Sequence, residues 1–257
     1  MELLNKIHLA DNSEVLKAIP DKSIDMILED MPYNNTSLHF DYAVDLQKFW
    51  AERLRVIKDN GAIVLTSQQP FTTDLINSNR KLFRFELIWE KTMKMGFYNA
   101  NKMPLRGHEN ILVFYKKAPV YNPQKYSTGK ITNRTSIQKE NRYKGYGDAK
   151  PSVYQRTEWR HPHSVIKVSN WNGALFGDNS KAVVHPTQKP IELFSWLIKS
   201  FTNPGATVFD GFAGSGTTAL ACIQENRNYV CCEWDEKYFQ LAVNRINKTE
   251  AITEFSE

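Results

Sequence analysis

Two short stretches of this 257-residue chain carry residue types and spacings suited to chemistry. The first is Asp30-Met31-Pro32-Tyr33, which closes the apolar run 24–28. A carboxylate there can accept a hydrogen bond from an exocyclic amino group. The Pro32 carbonyl, steadied by its ring, can accept a second, and Tyr33 offers a face to a planar base. Such an amine is a poor nucleophile, because its lone pair is delocalised into the ring. Two acceptors on its two N–H bonds favour the pyramidal geometry that attack requires. Taken alone, the same four residues also fit a plain strand-ending turn.

The second stretch is Val208-Phe209-Asp210-Gly211-Phe212-Ala213-Gly214-Ser215-Gly216-Thr217-Thr218. Its glycines allow sharp turning and close approach of a ligand to the main chain. Their order is G-x-x-G-x-G, which differs from the dinucleotide fingerprint. Gly211 and Gly216 have P-loop spacing, but Thr217 stands where the phosphate-binding lysine belongs. This points to a small, uncharged or zwitterionic ligand, with Asp210 set to meet a cation or ammonium. Glu233 lies about 20 residues on, at the end of the next strand, where an acid can take both ribose hydroxyls. A nucleoside joined to an amino-acid moiety suits this pair of carboxylates. The competing reading is a glycine turn that serves packing alone.

Both stretches need a sheet behind them. Apolar runs at 23–30, 61–66, 87–89 and 111–115 alternate with helical patterns at 13–19, 45–57 and 71–77. The alternation resumes with a helix at 190–201, a strand at 206–210, a helix at 217–226, a strand at 228–233 and a helix at 236–246. This is the pattern of a doubly wound α/β sheet, whose ligands sit at the carboxyl ends of the strands. Between the two halves, residues 116–160 hold eleven Lys/Arg against three Asp/Glu, interleaved with Tyr121, Tyr126, Tyr143, Tyr146, Tyr154 and Trp159. Basic side chains there would neutralise phosphates, and others would read base edges. A solvated extension without a ligand is the alternative. The expected division is 1–115, 116–180 and 181–257.

Composition sets the outer bounds. Hydrophobic residues make up 41% and charged residues 24%, so disordered, collagen-like and disulfide-framework classes are excluded. No apolar run reaches the length of a membrane span, and the first six residues do not read as an export signal. Cys222, Cys231 and Cys232 lack zinc spacing and read as reduced packing residues. The net charge of +5 permits nucleic acid without demanding it. His161 and His163 have no acidic or cysteine partner at ligand spacing. His108-Glu109 reads as a positioning pair rather than an acid–base pair, and Trp50 and Trp196 as core.

The chain resembles the β-class amino-methylating DNA methyltransferases. In that family an Asp/Asn/Ser-Pro-Pro-Tyr motif precedes the recognition region and an F-x-G-x-G loop follows it. Asp30-Met31-Pro32-Tyr33 matches the first motif at three of four positions, and 209–218 matches the second, with Gly211 where Pro is usual. His185-Pro186-Thr187-Gln188-Lys189-Pro190 resembles the segment near the methionine end of the cofactor. Glu233-Trp234-Asp235, with Tyr238 and Arg245, resembles the ribose-binding strand end and its helix. Ala10-Asp11 resembles the acidic turn that reaches the adenine.

The resemblance implies a Rossmann-like S-adenosylmethionine-dependent methyltransferase sheet of about seven strands with one antiparallel edge member, and a target-recognition insert at 116–180. It implies direct methyl transfer to adenine N6 of a flipped base, with Asp30, Pro32 and Tyr33 catalytic. Asp11, Thr187, Lys189, Asp210, Phe212, Gly214, Ser215, Gly216, Thr217 and Glu233 would hold S-adenosylmethionine. No metal is implied. Double-stranded DNA would be the partner, in the cytoplasm of a bacterial or phage-infected cell. Homodimers and a cognate restriction enzyme belong to the family's range. Met31 for Pro should loosen the catalytic turn, and Gly211 should alter loop stiffness more than ligand choice. The stretch 34–42 reads as a loop closing over the flipped base. Cytosine N4, RNA or protein-amide methylation stay open, as does a DNA-binding regulator in which Met31 marks decay.

Overall fold

The structure is a computed structural model that describes residues 3–34, 42–129, 158–170 and 188–254. Short apolar segments form its parallel strands. In β2 (Ile24–Glu29), Met26 and Leu28 enter one core cluster and Ile27 the other, because successive side chains alternate across a strand. Both faces of the strand are buried, so it reads as a run rather than an alternation. β1 (Lys6–Leu9), β10 (Asn228–Glu233), β9 (Thr207–Asp210), β2 and β3 (Ile57–Ser67) are neighbours in that order, all parallel. Their carboxyl ends therefore share one edge.

β5 (Arg106–Phe114) pairs antiparallel with both β3 and β4 (Phe83–Met95), and β8 (Val165–Val168) adds in parallel to β4. The sheet thus has eight strands, not about seven, and its antiparallel member is interior rather than at an edge. β5 is interior because β4 pairs on its far side, and β8 adds a further strand by covering the open side of β4. Trp89 Nε1 donates to the Val168 carbonyl at 2.9 Å, and the Asn170 amide bonds both main-chain groups of Met93 at 2.8 and 3.0 Å.

Helices cover both faces. α1 (Asn12–Ala18), α2 (Leu46–Val56) and α3 (Phe71–Ser78) contribute Leu16, Phe49, Trp50 and Leu75 to the cluster around Ile27 and Ile63. α4 (Ile191–Phe201), α5 (Thr217–Gln224) and α6 (Glu236–Glu254) contribute Phe194, Leu220 and Ile246 to the cluster around Met26 and Val64. Asp11 and Asp45 cap α1 and α2, accepting main-chain N–H groups at 2.9–3.1 Å. Trp50 is buried and donates to Ser78 at 2.7 Å, and the three cysteines pack inside. The chain leaves β9 through α5 on one face and β2 through α2 on the other. The gap between the ends of β9 and β2 is thus the topological switch point, where such sheets take ligands.

The chain divides into two compact units, 1–122 with 164–257, and 123–163. The expected insert of 116–180 is therefore wider than the second unit, since β8 is built into the sheet. Within the second unit, β6 (Tyr126–Ser127) pairs with β7 (Trp159–Arg160), and the Tyr126 hydroxyl meets His163 Nε2 at 3.1 Å. Residues 130–157, most of the basic segment, lie outside the described residues. Among the described residues, no helix is long and apolar enough to cross a membrane.

Candidate active site

Asp30 follows the last residue of β2. Its Oδ1 accepts from the Tyr33 hydroxyl at 2.7 Å and from the Thr66 hydroxyl at the end of β3. Its Oδ2 accepts from Lys189 Nζ, which arrives from the segment leading into α4. An ionised carboxylate offers about four acceptor positions. Three are engaged by the described residues, which leave one for an incoming N–H. The Tyr33 ring lies against Phe71 at 5.7 Å between centroids and 29° between planes. Burial pushes the Tyr33 phenol well up, reinforced by the charges of Asp30 and Glu109, so the hydroxyl stays a donor.

Lys189 is 7% exposed and also faces Glu109 Oε2 at 3.5 Å. Glu109 Oε1 in turn takes Lys91 and Gln68, the latter at 2.8 Å. Burial disfavours the Glu109 charge, but the two lysines and Gln68 outweigh it and hold the carboxyl below its usual value. Burial likewise disfavours the Lys189 ammonium, and Asp30 and Glu109 together hold its pKa above the ordinary lysine value. The result is a buried alternation of charges, Lys91–Glu109–Lys189–Asp30, in which every ion has an opposite neighbour. Lys189 was expected at the cofactor. Its ammonium sits on Asp30, while its carbonyl accepts from Thr217 at 3.3 Å and so ties it to the glycine loop. Thr187 lies outside the described residues, as do 35–41 of the expected closing loop.

Met31 takes the place where the family usually has proline. It is buried in the cluster beneath α1 and α2, so apolar burial anchors the position where a proline ring would have stiffened it.

The glycine loop hangs on a buried ion pair that the sequence reading passed over. Arg53 Nη2 and Nε reach Glu29 Oε1 and Oε2 at 3.0 and 3.3 Å, with both side chains essentially inaccessible. Glu29 Oε1 also accepts the Gly211 N–H at 3.0 Å. A proline at 211 has no such N–H. A Cβ there would come within 2.7 Å of Glu29 Oε1 and 2.8 Å of Arg53 Nη2. Gly211 therefore serves a hydrogen bond and a close approach, beyond loop stiffness. A signal was present: Arg53 falls in the stripe of Phe49, Trp50 and Val56 on α2, and a cation in an apolar stripe needs a buried acid.

Asp210 turns inward. Its oxygens accept from the Phe212 N–H at 2.9 Å and from the Thr218 hydroxyl. Burial lifts its carboxyl from 3.8 to about 8, with the Glu29 charge adding and those two donors opposing. The folded state then holds a proton that the unfolded chain releases, so this group makes stability fall as pH rises from about 4 to about 8. Urea unfolding at about pH 5 and about pH 8 should show that slope reduced in Asp210→Asn; an unchanged slope would disprove the assignment.

Glu233 accepts the Gly214 and Asp235 N–H groups, both at 2.8 Å, one on each oxygen. Burial raises its pKa, and the Trp234 N–H adds to these two donors in favouring the charged form. Ser215 is held by Arg245 through its hydroxyl at 2.8 Å, and itself reaches Gln188 at 3.2 Å. Gly216 has φ +80°, and a Cβ there would meet Ala242 of α6 at 3.0 Å. Ala10 N donates to the Glu233 carbonyl at 3.1 Å, which sets Asp11 beside Glu233. Asp11, Glu233, Asp210 and Asp30 thus stand at the ends of four neighbouring strands. Three inter-strand steps of about 4.8 Å separate the first from the last, about 14 Å in all. That is the span of a nucleoside carrying an amino-acid arm.

The fold and this row of strand ends define a methyltransferase-type α/β protein. The family model described as DNA methylase (N6_N4_Mtase) matches residues 24–244. The chain belongs to that family of N6- and N4-amino DNA methyltransferases. It is 28% identical to type II methyltransferase M.BglII of Bacillus subtilis, across 93% of this chain and 68% of that protein. It is 27% identical to DNA adenine methyltransferase YhdJ of Escherichia coli K12, across 90% and 79%. Among solved structures, the M1.HpyAVI–SAM complex superposes with a TM-score of 0.61 at 24% identity, covering 93% of this chain and 98% of that one. The cytosine-N4-specific PvuII DNA methyltransferase superposes with 0.64 at 17%, covering 97% and 90%.

Proposed function

We propose that this protein methylates adenine N6 of a flipped base in double-stranded DNA, with S-adenosylmethionine as donor. The observation that carries the reading is Asp30 with one acceptor position left, one strand away from the glycine loop. When bound, S-adenosylmethionine supplies an electrophilic methyl group. The fit to it is physical: the Glu233 carboxylate at the end of β10, glycine backbone at 211–216, and the span from Asp11 to Asp30. Asp30 and the Pro32 carbonyl hold the two N–H bonds of the amine, and Tyr33 faces the base. The donor's methyl group would pass to the amine nitrogen as its bond to sulfur breaks, and the proton the nitrogen then sheds would go to solvent water. No cysteine nucleophile is needed. Catalysis on this reading is orientation and exclusion of water.

Adenine is favoured by Asp30 at the first motif position and by the likeness to YhdJ, an adenine methyltransferase. Cytosine N4 is the second reading, favoured by the fold match to the PvuII enzyme. The basic insert at 116–180 would bind and read the duplex. Likeness to a type II methyltransferase supports a place beside a cognate restriction enzyme in a bacterial cytoplasm. The deciding experiment is nucleoside mass spectrometry after incubation with S-adenosylmethionine and unmethylated DNA of mixed sequence. N6-methyladenine is expected. N4-methylcytosine keeps the mechanism and changes the base, and no methylated nucleoside overturns the reading.

Lys189 acts here on Asp30 rather than on the cofactor through its ammonium. Lys189→Met should lower turnover by about tenfold to a hundredfold, since a misplaced reacting group costs on that scale. S-adenosylmethionine affinity, read by calorimetry, should hold. Weakened affinity with intact turnover would return Lys189 to the cofactor.

A further inference from the structure

The β4–β5 hairpin runs past the sheet at the edge that carries the site. β4 is parallel to β8, and antiparallel to β5 as β3 is, so its Met95 end points the same way as the Asp30 end of β2. Beyond it, a turn of 3-10 helix (Phe97–Asn99) is closed by Asn99 N to Gly96 O at 2.9 Å and Lys102 N to Asn99 O at 2.8 Å. This ordered turn turns its aromatics outward: Phe97 is 79% exposed and Tyr98 fully so, with Met103 at 57%. Residues 94–107 contain Lys94, Lys102 and Arg106 and no acid. An ordered apolar tip ringed by one sign of charge calls for a partner that is both anionic and flat-faced.

The tip is also wired to the reacting carboxylate. Arg106 Nη1 donates to Gln68 Oε1 at 3.0 Å, and Gln68 Nε2 donates to Glu109 at 2.8 Å. Glu109 faces Lys189, and Lys189 bonds Asp30. Extruding a base toward Asp30 costs a few kcal/mol of lost stacking and pairing, which an aromatic side chain stacked on the exposed bases can offset. Phe97 and Tyr98 stand on the element whose root is fixed to that carboxylate.

We infer that the tip at 96–105 enters duplex DNA beside the target nucleotide, with the Phe97 and Tyr98 rings stacking on the bases exposed by extrusion and Lys102 on a flanking phosphate. The inference rests on the proposed reading for its DNA substrate, and it assigns the tip a task separate from sequence reading by the insert.

The test uses the full chain, S-adenosylmethionine and fluorescently labelled duplex, with anisotropy at several salt concentrations alongside methyl incorporation into unmethylated genomic DNA. The paired change F97A/Y98A lies on the surface and should leave the fold and cofactor affinity unchanged. It should weaken duplex binding and lower kcat/KM about tenfold or more, the scale set by losing a base–aromatic stack, with the salt slope unchanged. K102A should instead flatten the slope of log affinity against log salt by about one. Wild-type affinity and kcat/KM in F97A/Y98A would overturn the inference. So would a loss accompanied by a change from dimer to monomer in light scattering, because a second copy would then be the occupant. A wild-type protein that binds duplex without methylating it would sink the proposed reaction, while the anisotropy comparison would still decide the role of the tip.

Discussion

Asp30→Ala should reduce methyl transfer on the order of a thousandfold or more, the scale on which removal of one preorganised partner of a reacting group is felt. Among the described residues, Tyr33, Thr66 and Lys189 leave the side chain a single acceptor position. Its loss leaves the amine in its planar, unreactive form. S-adenosylmethionine affinity should stay within about threefold, a change near RT and well below the energy of a charged hydrogen bond. The cofactor loop hangs on Glu29 and Glu233, not on Asp30. Truncation also leaves the Lys189 ammonium with Glu109 as its remaining acid, so thermal unfolding must be recorded with the kinetics. A folded Asp30→Ala protein with normal turnover would end the assignment of Asp30, and with it the proposed chemistry.

The second large effect concerns stability. Glu29→Leu should cost about 3 kcal/mol, because it removes the bidentate partner of the buried Arg53 guanidinium and leaves it the adjacent Glu52, at 3.2 Å, as its acid. In a domain of this size that lowers the melting temperature by roughly 10 °C. The aromatic rings near Arg53, with Phe49 at 4.3 Å, cannot replace the carboxylate. Adding Arg53→Met should restore most of the stability, since an apolar pair can replace a buried ion pair at little cost. It should not restore cofactor affinity, because the Gly211 N–H still lacks its acceptor and the loop loses its tether. Melting curves and calorimetry on the single and double variants separate the two roles. Recovery of affinity in the double variant would show that Glu29 serves the core alone.

The two engineered outcomes mark the boundary between sequence and tertiary structure. Local pattern was enough for much of the sheet. β10 falls on 228–233 as expected, and β2, β9, α4 and α5 lie within two residues of their expected ends, because parallel core strands are apolar runs closed by turns. β1 and β8, four residues each, carry too little pattern to stand out, and the closure of β4 by β8 is a long-range pairing. The placement of Asp30, Asp210 and Glu233 at strand ends was legible because strand-end acids and glycine turns are local features. What they touch was not. Lys189 is 159 residues from Asp30, and the Glu29–Gly211 bond spans 182. By itself, the sequence determined the type of sheet, the acids along its edge and the resemblance to amino methyltransferases. The tertiary structure alone decided that the Lys189 ammonium meets Asp30, that Asp210 turns inward and that a buried Arg53–Glu29 pair holds the Gly211 N–H. Those assignments depend on which distant backbones meet, and on burial that makes each unpaired charge costly enough to choose its partner.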